Sequence, residues 1–140
     1  MTAHPFAAER RRRRSQQTLE ALTYQLEHIF HREDLHNFTL GDSRGLLIAQ
    51  AGDIHESEVL AAYAPMLAHS VSRRYRRQVL SRVNSVVPTI TVDSIHVRQF
   101  TLDGQKLFLT LVGRPGVYQH VSLYRAITGV RRIFGQKPAA

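Results

Sequence analysis

The chain has 140 residues, 43% of them apolar, and a formal net charge of +8 at neutral pH, which is enough for one domain with a sizeable core. It holds no cysteine, so disulfides, thiolate metal centres and cysteine nucleophiles are excluded. No apolar run approaches the roughly 18–20 residues of a membrane span, and the basic N-terminus lacks the apolar stretch of a secretory signal, so a cytoplasmic protein is expected.

Residues 1–14 read as a basic flexible arm, because the five like charges of Arg10–Arg14 repel one another and oppose compaction. Such an arm either solubilises the chain or touches an acidic surface, an anionic lipid or a nucleic acid. Residues 15–135 read as a single domain, and 136–140 as a short tail. Ser15 can cap a first helix running to about Arg32, whose stripe is Leu19, Leu22, Leu26, Ile29 and Phe30. His28, His31 and His36 lie close in sequence, and a His-x-x-His pair can ligate zinc. Further ligands are not evident, so these are expected to be surface histidines and no metal is expected.

Asn37–Leu40 and Leu46–Ala51 form a hairpin around the turn Gly41–Asp42–Ser43–Arg44–Gly45. Its second strand is apolar on both faces, as expected at the centre of a sheet covered on two sides. Gly52 ends it. Asp53 with Glu56 three residues later is an acidic capping box. From Ile54 to Val83 the chain reads as one helix of about thirty residues, far beyond the average. Pro65 removes the bond to Ala61, so either the helix kinks there or a new one starts with Pro65 in its first turn, and the kink is favoured because both flanks read as helix. The alanines of Ala61–Ala68 permit close approach of another backbone. Arg73, Arg74, Arg76 and Arg77 bracket Tyr75, with Arg82 beyond. Such a run is either a solvated end complementing the C-terminal dipole or a docking patch.

Asn84–Pro88 stops the helix. Thr89–Phe100 is β-branched, and its alternation shifts at Asp93–Ser94, where a bulge or tight turn is expected. Asp103–Gly104 is a type I′ hairpin signal between Arg98–Leu102 and Lys106–Val112. Gly113–Gly116 turns the chain into a last helix, Val117–Phe134, with the stripe Val121, Tyr124, Ile127, Val130 and Phe134. Charge divides along this order. Ser15–Glu58 carries two arginines against eight acids, whereas Val59–Ala140 carries twelve Lys/Arg against two acids. Two faces for different partners could follow from such a division.

The order is helix, two strands, long helix, two or three strands, helix. This predicts an α/β fold with an antiparallel sheet of about five strands sandwiched by helices. Three stretches, Gly41–Gly52 (GDSRGLLIAQAG), Glu58–Leu67 (EVLAAYAPML) and Lys106–Gly113 (KLFLTLVG), stand where the Roadblock/dynein light chain family has its hairpin, its alanine-rich helix and its last strand. The chain resembles that family from about Leu19 to Phe134. The resemblance implies a profilin-like fold and a homodimer that regulates or scaffolds a small GTPase or its complex. It departs from the family at Pro65 and in the basic end of the long helix.

The chain has no Gly-rich phosphate loop ending in Lys-Ser/Thr. Ser43 in GDSRG lacks the spacing and context of a nucleophile elbow and reads as a turn serine. No catalytic residue, metal site or cofactor is therefore expected. The candidate partner-binding residues are Arg73, Arg74, Tyr75, Arg76, Arg77 and Arg82. The expected dimer interface comprises Ala61, Ala64 and Ala68, where long helices would meet, and Ile90, Val92, Ile95 and Val97 on an edge strand that is safer paired than open. Two other functions fit the same chain. A basic nucleic-acid-binding protein would use both arginine clusters, and a GAF- or PAS-like small-molecule sensor would share the helix-covered sheet.

Overall fold

The computed structural model describes residues 5–90, 94–113 and 120–135. The elements follow as α1 (Pro5–Arg32), β1 (Asn37–Asp42), β2 (Leu47–Ala51), α2 (Ile54–Ala68), α3 (Arg73–Val86), β3 (Ile95–Leu102), β4 (Gln105–Val112) and α4 (His120–Gly135). The strands pair antiparallel in the order β2-β1-β4-β3. The sheet thus has four strands among the described residues, where about five were expected. Residues 91–93, including Val92, lie outside the described residues, and Pro88–Ile90 turns instead of extending.

Period-two alternation builds the two sides of the sheet. Phe38, Leu40, Leu107, Leu109, Leu111 and Phe100 join Leu22, Leu26 and Ile29 of α1 and Leu123, Ala126 and Val130 of α4 in one core. On the opposite face Ile95 and Val112 join Leu60 and Leu67 of α2 and Val79, Leu80 and Val83 of α3 in a second core. Full burial of each leucine contributes about 1.5–3 kcal/mol. The layers are therefore α1 with α4, the sheet, and α2 with α3.

β2 is an edge strand, not the central strand its apolar composition suggested. It is apolar because α1 packs on one side of it and α2 on the other. Asp42 organises its turn by accepting from the Arg44 amide at 2.8 Å and the Leu46 amide at 3.0 Å. The second hairpin closes as expected: Leu102 pairs with Gln105, and Asp103 and Gly104 take φ of 50° and 76°, both in the left-handed region that a type I′ turn requires.

The helices depart from expectation in three places. α1 starts at Pro5, not near Ser15, so the expected flexible arm is helical from Pro5 on. Arginine is a good helix former. In α4 the buried residues are Ser122, Leu123, Ala126 and Val130, and Tyr124 is 74% exposed. Ile127, Val130 and Phe134 of the expected stripe do pack on the core, and Tyr124 does not. The expected helix start at Val117–Gln119 falls outside the described residues.

The third departure is the long helix, which is two helices. α2 carries Pro65 in its last turns and ends at Ala68. Ser70 Oγ donates to the Leu67 carbonyl at 2.6 Å, and the His69 ring meets Phe108 edge-on at 5.8 Å. Ser72 then caps α3, in extended conformation (φ −138°, ψ 154°), accepting from the Tyr75 amide at 3.1 Å. Two serines that can satisfy helix-terminal groups make the break at 69–72 less costly than bending at the proline.

Candidate functional site

α3 packs only its inner side onto α2, through Val79, Leu80 and Val83. Its other side and its first turn carry the arginine cluster. Arg73, Arg74, Arg77 and Arg82 are exposed, and among the described residues none of them makes an ion pair or side-chain hydrogen bond. Tyr75 is 41% exposed beside them, and Val71, in the loop before the cap, is 99% exposed. Arg76 differs from the others. It is half-buried, and its Nη2 donates to the Ile95 carbonyl at 3.4 Å, tying α3 to strand β3. Five of the six expected contact residues therefore lie open on α3, and Arg76 holds the helix in place.

The helix break reverses the electrostatics of this cluster. On one continuous helix the arginines would sit near a C-terminus and be stabilised by its dipole. As the structure stands, Arg73, Arg74 and Arg76 occupy the first turns of α3, which has no acidic residue in its first turn. Cations there oppose the positive end of the dipole and repel one another, at a few tenths to about 1 kcal/mol each when exposed. An anionic surface brought to this end would relieve both penalties and would find free amide donors as well. Nothing in the packing of α3 demands such an arrangement.

The expected dimer residues are distributed differently. Ala61 and Ala64 are 1% and 0% exposed in the single chain. They face the protomer's own sheet, since a Cβ on Gly41 would lie 3.2 Å from the Ala61 Cβ. The close approach of Ala61 is to Gly41 of β1 in the same chain. Ile90 and Ile95 are likewise buried in the α2–α3 core, whereas Val97 and Ala68 are half-buried. What remains accessible to a second copy is the outer edge of β3.

The polar residues around the start of β1 form the largest buried hydrogen-bond network among those described. Asn37, fully buried, donates from Nδ2 to Ser57 Oγ at 3.0 Å and to the Asp53 carbonyl at 3.3 Å, and accepts from Thr39 Oγ1 at 2.6 Å. Ser57 Oγ donates to Gln50 Oε1 at 2.9 Å. Asp53 caps α2 as expected, taking the Glu56 amide at 3.0 Å. The Glu56 carboxylate does not reach back to complete a capping box. It accepts from Thr89 Oγ1 at 2.6 Å and lies 2.9 Å from His36 Nε2 without the alignment of a hydrogen bond, so charge carries that contact when His36 is protonated. Sequence reasoning treated His36 and Glu56 separately, and nothing in their spacing joins them. The network clamps α2 to the sheet.

Among the described residues, Asp42 has a displaced titration. Burial pushes its carboxyl up, but the Leu46 and Arg44 amides and the Arg44 guanidinium at 3.3 Å together outweigh it and hold the pKa below the ordinary 3.8. Among the described residues no three His, Asp or Glu side chains converge as a metal site. Ser43 is exposed in its turn, and His28 and His31 are exposed on α1. No described helix is long and apolar enough to cross a membrane.

No family model and no curated protein matches the sequence. Among solved structures the fold is similar to that of Myxococcus xanthus MglB, with a TM-score of 0.53 and 11% identity over 87% of this chain and 95% of that one. The shared fold is of the roadblock type.

Proposed function

We propose that this chain is a non-catalytic, cytoplasmic interaction module of the roadblock type that regulates or scaffolds a small GTPase or its complex, docking an acidic face of that partner on α3. One observation carries the reading. Arg73, Arg74, Arg77 and Arg82 stand exposed, with no ion pair among the described residues, on a helix whose first turns penalise cations. Tyrosine and arginine are the residue types enriched at interface hot spots, and Tyr75 stands among them. The roadblock-type fold supplies the class of partner, through the resemblance set out above. The module works as a homodimer, in which the β3 edges pair about a twofold axis and remove their exposed amides from solvent.

The experiment measures capture of the small GTPases encoded by the same genome, loaded with GDP or a GTP analogue, by the wild-type chain and by an R73S/R74S/R77S variant. The variant is expected to fold and to lose at least tenfold in affinity, with the larger loss at low salt. Undiminished capture by the variant overturns the assignment of the surface. Sub-micromolar, steeply salt-dependent binding of duplex or single-stranded nucleic acid, with no GTPase captured, overturns the assignment of the partner. Light scattering at micromolar concentration is expected to give about twice the chain mass of 16.0 kDa, and a monomer there overturns the dimer.

A further inference from the structure

α1 is much longer than its packed part. Among the described residues its first member of the core is Leu22, yet the helix starts at Pro5, between four and five turns earlier, or about 25 Å at 1.5 Å per residue. The positions four, seven and eleven residues before Leu22, which continue its stripe, are Thr18, Ser15 and Arg11. None is apolar, so this stretch has no greasy side to lay on the sheet. Arg10–Arg14 lies within it, and Glu9 is the one acid before Glu20. Consecutive helical positions are about 100° apart, so the five arginine positions circle the axis completely. Arg10 and Arg14 stand four residues apart, and Arg10 with Arg13 and Arg11 with Arg14 stand three apart. Like charges at those spacings oppose a helix. The packing of the domain does not call for such a ring, and anions placed around the helix would relieve its repulsion.

We infer that this leading part of α1 docks in the major groove of duplex DNA. The placement of charge on all sides selects the partner. A flat acidic protein face or a bilayer meets one side of a helix and leaves the rest of the ring in water. A helix lying on a bilayer also needs an apolar side, and residues 9–18 supply none. The major groove of B-DNA is about 12 Å wide, admits an α-helix of about 10–12 Å diameter, and is walled by a phosphate strand on each side. The two strands together carry one charge per about 1.7 Å of axis, so a ring of five cations finds phosphates on both flanks. The helical state matters, because an extended arginine arm enters the minor groove instead. It also selects DNA over duplex RNA, whose major groove is deep and narrow. Continuous basic helices that run out of a folded domain into the major groove are an established mode of docking, and α1 is unbroken from Pro5 into the core. Phosphate contacts carry no sequence information, so the arm binds duplex DNA in general. No residue of α3 takes part, and the inference does not rest on the docking of a GTPase there.

The test is fluorescence anisotropy of a labelled 24-base-pair DNA duplex of mixed sequence, titrated with the full-length chain. A Kd below about 10 μM is expected at 50 mM salt, with a steep fall in affinity as salt rises. Serine at all five positions of Arg10–Arg14 should weaken binding at least tenfold. The same variant should lower the slope of log affinity against log salt by at least two, out of about four for five phosphate contacts. It alters no core residue, so its melting temperature by circular dichroism should stay within a few degrees of wild type. R73S/R74S/R77S should change the affinity less than threefold. The major-groove ligand methyl green should displace the protein and the minor-groove ligand netropsin should not. The single strand and the RNA duplex of the same sequence should each bind at least threefold more weakly. A Kd above that limit, a smaller loss or slope change in the serine variant, or a larger loss in the α3 variant would overturn the inference. So would displacement by netropsin, indifference to methyl green, or binding of the single strand or the RNA duplex as tight as that of the DNA duplex. Tighter arginine-dependent association with phosphatidylserine vesicles than with the duplex would overturn it in favour of a membrane. Because the two surfaces share no residue, failure of the arm leaves the α3 reading standing, and the reverse also holds.

Discussion

Reversing the charge of Arg73 and Arg74 should make the protein more stable, which is an unusual expectation for losing two residues of a binding surface. Both lie in the first turn of α3, exposed and without ion pairs among the described residues. Each opposes the helix dipole there, and a carboxylate at the same position is favoured, by about 0.3–1 kcal/mol at an exposed site. A glutamate at 73 also faces Arg77 four residues on, in the favourable orientation, adding about 0.3–0.5 kcal/mol. Solvent screening discounts these figures, so about 1 kcal/mol is the expected total for R73E/R74E. For a domain of this size that corresponds to a rise of roughly 3–5 °C in melting temperature. Circular dichroism melts at low salt and at about 0.5 M salt measure it, and the gain should shrink at high salt as screening sets in. Had α2 and α3 been one helix ending in these arginines, the same substitutions would remove favourable C-terminal cations and lower the melting temperature. A fall at low salt therefore refutes both the helix break and the argument that the cluster is kept for docking, not for folding.

Asn37→Leu should cost about 1–3 kcal/mol in denaturant unfolding, because Ser57 and Thr39 each lose a buried partner; a neutral result would mean that water replaces the amide. Gly41→Val should cost a similar amount, since the Ala61 Cβ and the Leu46 carbonyl oxygen already stand 3.2 Å from the position of a Cβ there and α2 must lift from the sheet. Asp42→Asn should destabilise at neutral pH and converge with wild type in acid. The folded-state pKa is lowered, so the carboxylate's contribution is present above the unfolded value near 4 and is lost as pH falls through the folded one. Urea midpoints at pH 7 and pH 3 check the sign, and a difference that grows in acid contradicts it.

The layers of the fold were legible because alternation and helical periodicity are local signals. Leu22, Leu26 and Ile29, or Leu107, Leu109 and Leu111, declare their faces without reference to the rest of the chain. The Asp103–Gly104 hairpin was legible for the same reason. β2 was misplaced because an apolar strand has the same composition at a sheet centre as at an edge gripped between two helices. The helix break was missed because Pro65 is the conspicuous breaker, whereas Ser70 and Ser72 act through hydrogen bonds that exist only once both helix ends are present. That miss changed the electrostatic setting of the arginine cluster, and only the fold separates Arg76, which ties α3 to β3, from its exposed neighbours. Arg73, Arg74, Arg77 and Arg82 were identifiable from composition, but their cost to the helix depends on which end they occupy. Ala61 and Ala64 show the converse limit. Small residues signal a close approach and do not say to what, and here the approach is to Gly41 of the same protomer. The groove between α1 and α4 left no trace at the sequence level, since Gln25 and Gly129 are remote in the chain and come together only in the fold. A surface assembled from remote positions is visible only in the fold, whereas a run of like charge shows itself in the chain and needs the fold to give it a sign.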